Sequence, residues 1–102
     1  MTNLQNIKSK IYTLPELVEI AKIWRGKGDK IVFTNGCFDL VHRGHVEVLA
    51  NIADLGDKLI IGLNSDSSIQ RLKGENRPII DENSRAMLLA SLQFIDAIVL
   101  FS

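Results

Sequence analysis

The 102-residue chain carries twelve Lys and Arg against twelve Asp and Glu, a formal net charge of zero, and 46% of it is hydrophobic. That size suits one domain with its own core, and the neutral balance argues against a basic nucleic-acid clamp while leaving room for a local anion pocket. The single cysteine, Cys37, excludes an intrachain disulfide and a cysteine-only zinc site, and no apolar run approaches the ~20 residues of a membrane span.

Residues 1–12 are polar and mixed without periodicity and read as an arm, with no signal-peptide core in Met1–Lys10. A cytoplasmic domain is therefore expected. A helix is expected over 13–27. Thr13 suits its cap and Pro15 its first turn, and Glu16 completes a capping box. Leu14, Leu17, Val18, Ala21 and Trp24 recur at helical spacing, and Gly26 and Gly28 end the element. Lys30 to Thr34 reads as a buried strand entering a tight loop at Asn35-Gly36. A helix with Val46, Leu49, Ala50 and Ala53 on one face follows, stopped by Gly56. Lys58 to Leu63 is a second buried strand. Asn64-Ser65-Asp66-Ser67 offers caps for a short helix through Leu72, and Gly74 to Pro78 breaks the chain. Asp81 or Asn83 then caps a helix bearing Met87, Leu88, Leu89 and Leu92. Ala97 to Phe101 is a third strand, whose outer edge is expected to be exposed.

The strands are apolar throughout and alternate with helices, which predicts an α/β fold with a parallel sheet covered on both faces. The expectation is a single domain over 1–102, with its βα core over 30–102. In such sheets ligands bind beyond the carboxyl ends of the strands, where Asn35–His45 and Asn64–Arg71 form polar loops.

The strongest local signal is T-N-G-C-F-D-L-V-H-R-G-H, Thr34 to His45. Gly36 after a strand lets backbone N–H groups approach a phosphate. His42 and His45 lie three apart where a helix begins, so both can address one site, and Gly44 leaves room between them. A helix N-terminus already attracts anions, and two imidazoles add donors for phosphate oxygens whose charge grows in a transition state. An alternative is a zinc site of Cys37, Asp39, His42 and His45. The ligand types allow it, although Cys37 is expected to point along the loop.

The H-x-G-H at His42 to His45, behind a strand and G-C-F-D, resembles the nucleotidyltransferase superfamily that includes the cytidylyltransferases. T-N-G-C-F-D combined with N-S-D-x-S…R-L-K-G-x-x-R-P, Asn64 to Pro78, is similar to the adenylyltransferase domain of ADP-heptose synthesis enzymes. The likeness runs from about Gly28 to Phe101. H-x-G-H alone is moderately specific, since class I aminoacyl-tRNA synthetases carry a related sequence; the combination is far more so.

The resemblance implies a Rossmann-like three-layer sandwich and a set of roles. Asn35, Gly36, Cys37, Phe38 and Gly44 would lie against the nucleotide, and His42, His45 and Lys73 would act on its phosphates. Asp39 and Asp66 would stand near the substrate or a magnesium ion, and Arg71 and Arg85 would face the substrate. Each has a plainer reading: Asp66 as a helix cap, Lys73 and Arg71 as solvated charges, Arg85 as a surface residue paired with Glu82 or Asp81.

The implied reaction takes ATP, with Mg²⁺, and a sugar phosphate, heptose 1-phosphate, to an ADP-sugar and pyrophosphate. A glycerol-3-phosphate cytidylyltransferase and a non-catalytic nucleotide-binding module are the rivals. Relatives carry a further I-S-S-T-type signature on a later helix. Ser65 to Ile69 is not that element, so a C-terminal part of the fold is expected to be missing. A dimer is a further expectation, because the first helix and third strand both need covering.

Overall fold

A computed structural model describes residues 1–102. The Thr13 capping box forms as expected: its side chain accepts from the Glu16 N–H, and Glu16 returns to the Thr13 N–H at 2.8 Å. Nine elements follow in order. They are α1 (Asn3–Lys8), β1 (Ile11–Tyr12), α2 (Leu14–Gly26), β2 (Ile31–Gly36), α3 (Arg43–Ala53), β3 (Lys58–Asn64), α4 (Asp66–Lys73), α5 (Glu82–Ala90) and β4 (Ala97–Phe101). Gly28, at φ 85°, takes the left-handed conformation that turns the chain out of α2.

The strands form one parallel sheet in the order β1-β4-β3-β2. β3 is central and buried across Leu59–Leu63, which explains its unbroken apolar run. Its odd-numbered side chains Leu59, Ile61 and Leu63 pack with Ile98 against Leu49 of α3 and Ala86, Leu89 and Ala90 of α5. On the other face Ile60, Ala97 and Val99 pack against Leu17 and Trp24 of α2. Helices on both faces make the α/β three-layer sandwich. No helix is long and apolar enough to cross a membrane.

Three expectations need correction. Residues 1–12 are not only a lead-in but contain α1 and β1. Ile11 pairs with Ile98 and Tyr12 with Val99, and the Ile98 N–H donates to Lys10 O at 2.8 Å. The third expected strand, β4, is therefore not an exposed edge; it lies between β3 and β1, and that reason for a second copy falls away. A two-residue strand within a polar segment carries no period to detect, so its pairing comes from the sheet rather than from itself. Leu92 also lies beyond α5, which ends at Ala90.

Candidate functional site

The four parallel strands end on the same side, and the loop after β2 lies there. Gly36, the last residue of β2, is covered by the Phe38 ring: a Cβ there would stand 2.8 Å from Cε2 of Phe38, so the ring would have to move. Phe38 takes φ 48°, a left-handed conformation uncommon for a bulky residue. This turn folds the Phe38 ring against His45, with ring centroids 5.4 Å apart.

His42 then caps α3. Its Nδ1 accepts from the Gly44 N–H at 3.0 Å, and Nδ1 of His45 accepts from the His42 N–H at 3.2 Å. Each ring satisfies one of the unpaired donors that a helix start leaves. An imidazole accepting at Nδ1 carries its proton on Nε2, so both neutral rings keep an N–H donor on the far side. The rings lie side by side, centroids 4.1 Å apart. Gly44 leaves room for this arrangement: a Cβ there would stand 2.9 Å from His42 Cε1, so the ring would have to shift. Burial, and then the charge of His42, hold the His45 pKa below its ordinary value.

A pocket of about 430 Å³ opens beside the pair. Asn35, Gly36, Cys37 and Phe38 supply backbone and small surfaces from β2 and its loop, and Asp39 and Leu40 follow them. His42 and His45 come from the start of α3. Lys73, the last residue of α4, and Arg77 in the next loop bring two positive charges to the same space. An apolar hollow of about 370 Å³ adjoins it and shares Asn35, Phe38, His42 and His45, with Gly44 and Val48 on its wall. A larger hollow of about 520 Å³, along α5, has Asp81 as its only ionisable group, and that residue caps the helix. The cluster of ionisable side chains therefore lies in the 430 Å³ pocket.

The remaining expected residues are placed differently. Asp39 is buried and spends its carboxylate inside the protein. It accepts from the N–H groups of Ile79 and Ile80 at 2.8 and 3.0 Å and from Arg77 Nε. Burial raises its pKa, but the donors from Ile80, Arg77 and Ile79 outweigh that and hold it below the usual carboxylate value. Arg85 is not a surface residue: it is fully buried. It donates to Ile80 O, Cys37 O and Asn64 O and to Asp66 Oδ1, tying together four segments. Asp66 is not the cap of α4; Ser65 is, and Asp66 instead meets Arg85 at 2.8 Å. Arg71 is exposed on α4 and does not line the pocket.

The structure thus brings Asn35, Gly36, Cys37, Phe38, Asp39, His42, His45 and Lys73 together, sets Gly44 behind the histidines, and leaves Asp66, Arg71 and Arg85 outside. Of the residues of the zinc alternative, Asp39 is already bound by three donors, and no group of three His, Cys, Asp or Glu side chains is clustered to hold a metal ion. Arg77 was not singled out from the sequence. It stands within the R-L-K-G-x-x-R-P segment, but nothing local marks it as facing the pocket, and its partner Asp39 lies 38 positions away.

A family model described as cytidylyltransferase-like matches residues 33–102. The chain is 51% identical over 94 residues to the bifunctional protein HldE of Paramagnetospirillum magneticum, which covers 92% of this chain and 19% of that protein. It is 54% identical over 93 residues to the bifunctional protein HldE of Geobacter metallireducens, 91% and 19% respectively. The chain spans about a fifth of the length of these relatives. Among solved structures, a lipopolysaccharide core biosynthesis protein from Thermoplasma volcanium matches with a TM-score of 0.66 and 37% identity, over 74% of this chain and 60% of the other.

Proposed function

The chain belongs to the cytidylyltransferase-like family, and from that membership we propose that it forms the nucleotide-binding part of a nucleotidyltransferase that moves AMP from ATP to heptose 1-phosphate. The observation that carries this reading is the His42–His45 pair, two Nε2–H donors beside a pocket that also holds Lys73 and Arg77. The T-N-G-C-F-D and R-L-K-G-x-x-R-P segments, which resemble the adenylyltransferase domain of ADP-heptose synthesis enzymes, favour the adenylyl and sugar 1-phosphate choice.

In this reaction an oxygen of the acceptor's phosphate attacks the α-phosphorus of ATP. The bond from that phosphorus to the bridging oxygen breaks, and pyrophosphate leaves with the electron pair. The acceptor is already an anion, so no general base is needed. Catalysis rests on alignment and on donors placed where negative charge grows. The α3 N-terminus and the two imidazoles supply such donors, and Lys73 adds a point charge. Magnesium would enter as part of the nucleotide substrate. The protein's nearby carboxylates do not build a site for it, since Asp39 is held by Arg77, Ile79 and Ile80 and Asp66 is held by Arg85.

The test is calorimetric titration of the chain with ATP and with CTP in magnesium buffer, followed by pyrophosphate release with heptose 1-phosphate and with glycerol 3-phosphate. Tighter binding of ATP, and release with the heptose ester, supports the proposal. A preference for CTP and glycerol 3-phosphate redirects it to the cytidylyl reaction. Binding without release from any acceptor reduces the chain to a nucleotide-holding module.

A further inference from the structure

Arg77 is the one arginine that lines the pocket, and its surroundings differ from those of every other cation there. Its Nε is engaged by Asp39 at 2.5 Å, while its two terminal nitrogens donate to no protein atom. The Asp39 side chain is only 2% exposed, whereas that of Arg77 is 36% exposed. Asp39 is itself immobilised by the Ile79 and Ile80 N–H groups, so the anchor cannot swing away with its partner. The same three bonds fasten the 77–80 segment to the loop after β2. Arg85 shows the contrasting case: its Nε, Nη1 and Nη2 all donate within the protein, and it has no exposed surface.

A guanidinium fixed at Nε presents its terminal amino groups as a planar fork that matches two oxygens of a phosphate. Lys73, a point charge on a flexible stem, has no such orientation. We propose that Arg77 is a phosphate-holding residue of this pocket, and that Asp39 serves as its positioning residue rather than as a ligand for substrate or metal. The assignment rests on the reading above that the pocket takes phosphates. The bound group is a phosphate oxyanion, supplied either by the nucleotide's polyphosphate or by the acceptor's monoester.

The experiment is calorimetric titration of the 102-residue chain with ATP, with pyrophosphate and with glucose 1-phosphate, the last as a probe for the acceptor. Arg77→Gln is expected to weaken at least one of these by tenfold or more, and Arg77→Lys to recover only part of the loss. Loss confined to ATP and pyrophosphate assigns the residue to the nucleotide; loss confined to glucose 1-phosphate assigns it to the acceptor.

Asp39→Asn is expected to weaken the same ligand several-fold, and to add nothing once Arg77 is Gln, because coupled residues are not additive. Additive losses overturn the positioning role. If Asp39→Asn unfolds, the two Arg77 variants still carry the test, since they leave the Asp39 bonds to Ile79 and Ile80 in place. Wild-type affinity for all three probes in Arg77→Gln, with binding lost in His42→Ala, overturns this assignment alone. No binding by the unaltered chain overturns the phosphate reading and this assignment together.

Discussion

Arg85 reaches Asp66 across 2.8 Å from a position with no solvent exposure. Its other bonds go to the carbonyls of Cys37, Asn64 and Ile80, which belong to the loop after β2, the end of β3 and the segment before α5. One side chain thus sets the relative positions of the three backbone stretches around the pocket. Removing it leaves those carbonyls and a carboxylate without their donor. Arg85→Met is expected to cost about 3 kcal/mol, the scale for breaking a buried ion pair from one side. For a domain of this size that is a fall in Tm of more than about 10 °C. A thermal melt followed by circular dichroism checks it, and a shift below about 4 °C would show that the network contributes little.

Gly44→Ala separates folding from binding. The new methyl would displace the His42 ring, which stands 2.9 Å from the ideal Cβ position, while alanine suits a helix better than glycine. The variant is expected to keep or slightly raise its Tm and to bind ATP about tenfold more weakly. Unchanged affinity would mean that the ring can move without consequence.

His42→Ala and His45→Ala each remove one Nε2–H donor. Where pyrophosphate release is measurable, either change is expected to lower turnover by about 10²-fold, the scale for losing one transition-state donor. Near-normal rates in both variants would exclude the imidazoles from the chemistry.

Stability should depend on pH in a defined window. The His45 pKa is depressed in the fold, chiefly by burial and secondarily by His42. The unfolded chain therefore binds a proton that the folded chain refuses, and stability rises with pH through that interval. The contribution is complete above about 6.5, the ordinary histidine value, and is lost as pH falls through the lower folded pKa. Protonation at Nδ1 also places a donor against the His42 N–H, which weakens the cap. Melts between pH 7.5 and 4.5 should show a decline that is absent from His45→Gln. A second decline, below the ordinary carboxylate range, belongs to Asp39, Asp81 and Glu16, whose pKa values are also lowered.

Deleting residues 1–12 strips β1 from β4 and leaves the Ile98 N–H without Lys10 O. An uncovered apolar strand edge pairs with other chains. Concentration-dependent oligomers should appear in sedimentation velocity, where the intact chain gives a smaller species. A single monomeric boundary for the deletion would show that β4 tolerates an open edge.

These outcomes also mark what was legible in the sequence. The Thr13 capping box, the strand at Ala97–Phe101 and the histidine pair are written within spans of three to five residues, where local sterics and donors decide the conformation. The Asp39–Arg77 and Arg85 networks join residues 38 and 48 positions apart, and no local pattern distinguishes a buried arginine from a solvated one. Asp66 adjoins Ser65, the residue that caps α4, and a carboxylate at the first helical turn suits a cap as well as an ion pair. β1 leaves no mark in the sequence, because two residues cannot show a period of two.

The sheet order has a kinetic corollary. β1 is the earliest strand in the chain, yet its partner is the latest, so Ile11 must wait for Ile98 before it gains a neighbour. The loop to be closed is almost as long as the chain, and distant pairings of this kind slow folding. Docking of the first strand is therefore expected to come late, after β2 and β3 have joined, as the step that seals the open side of β4.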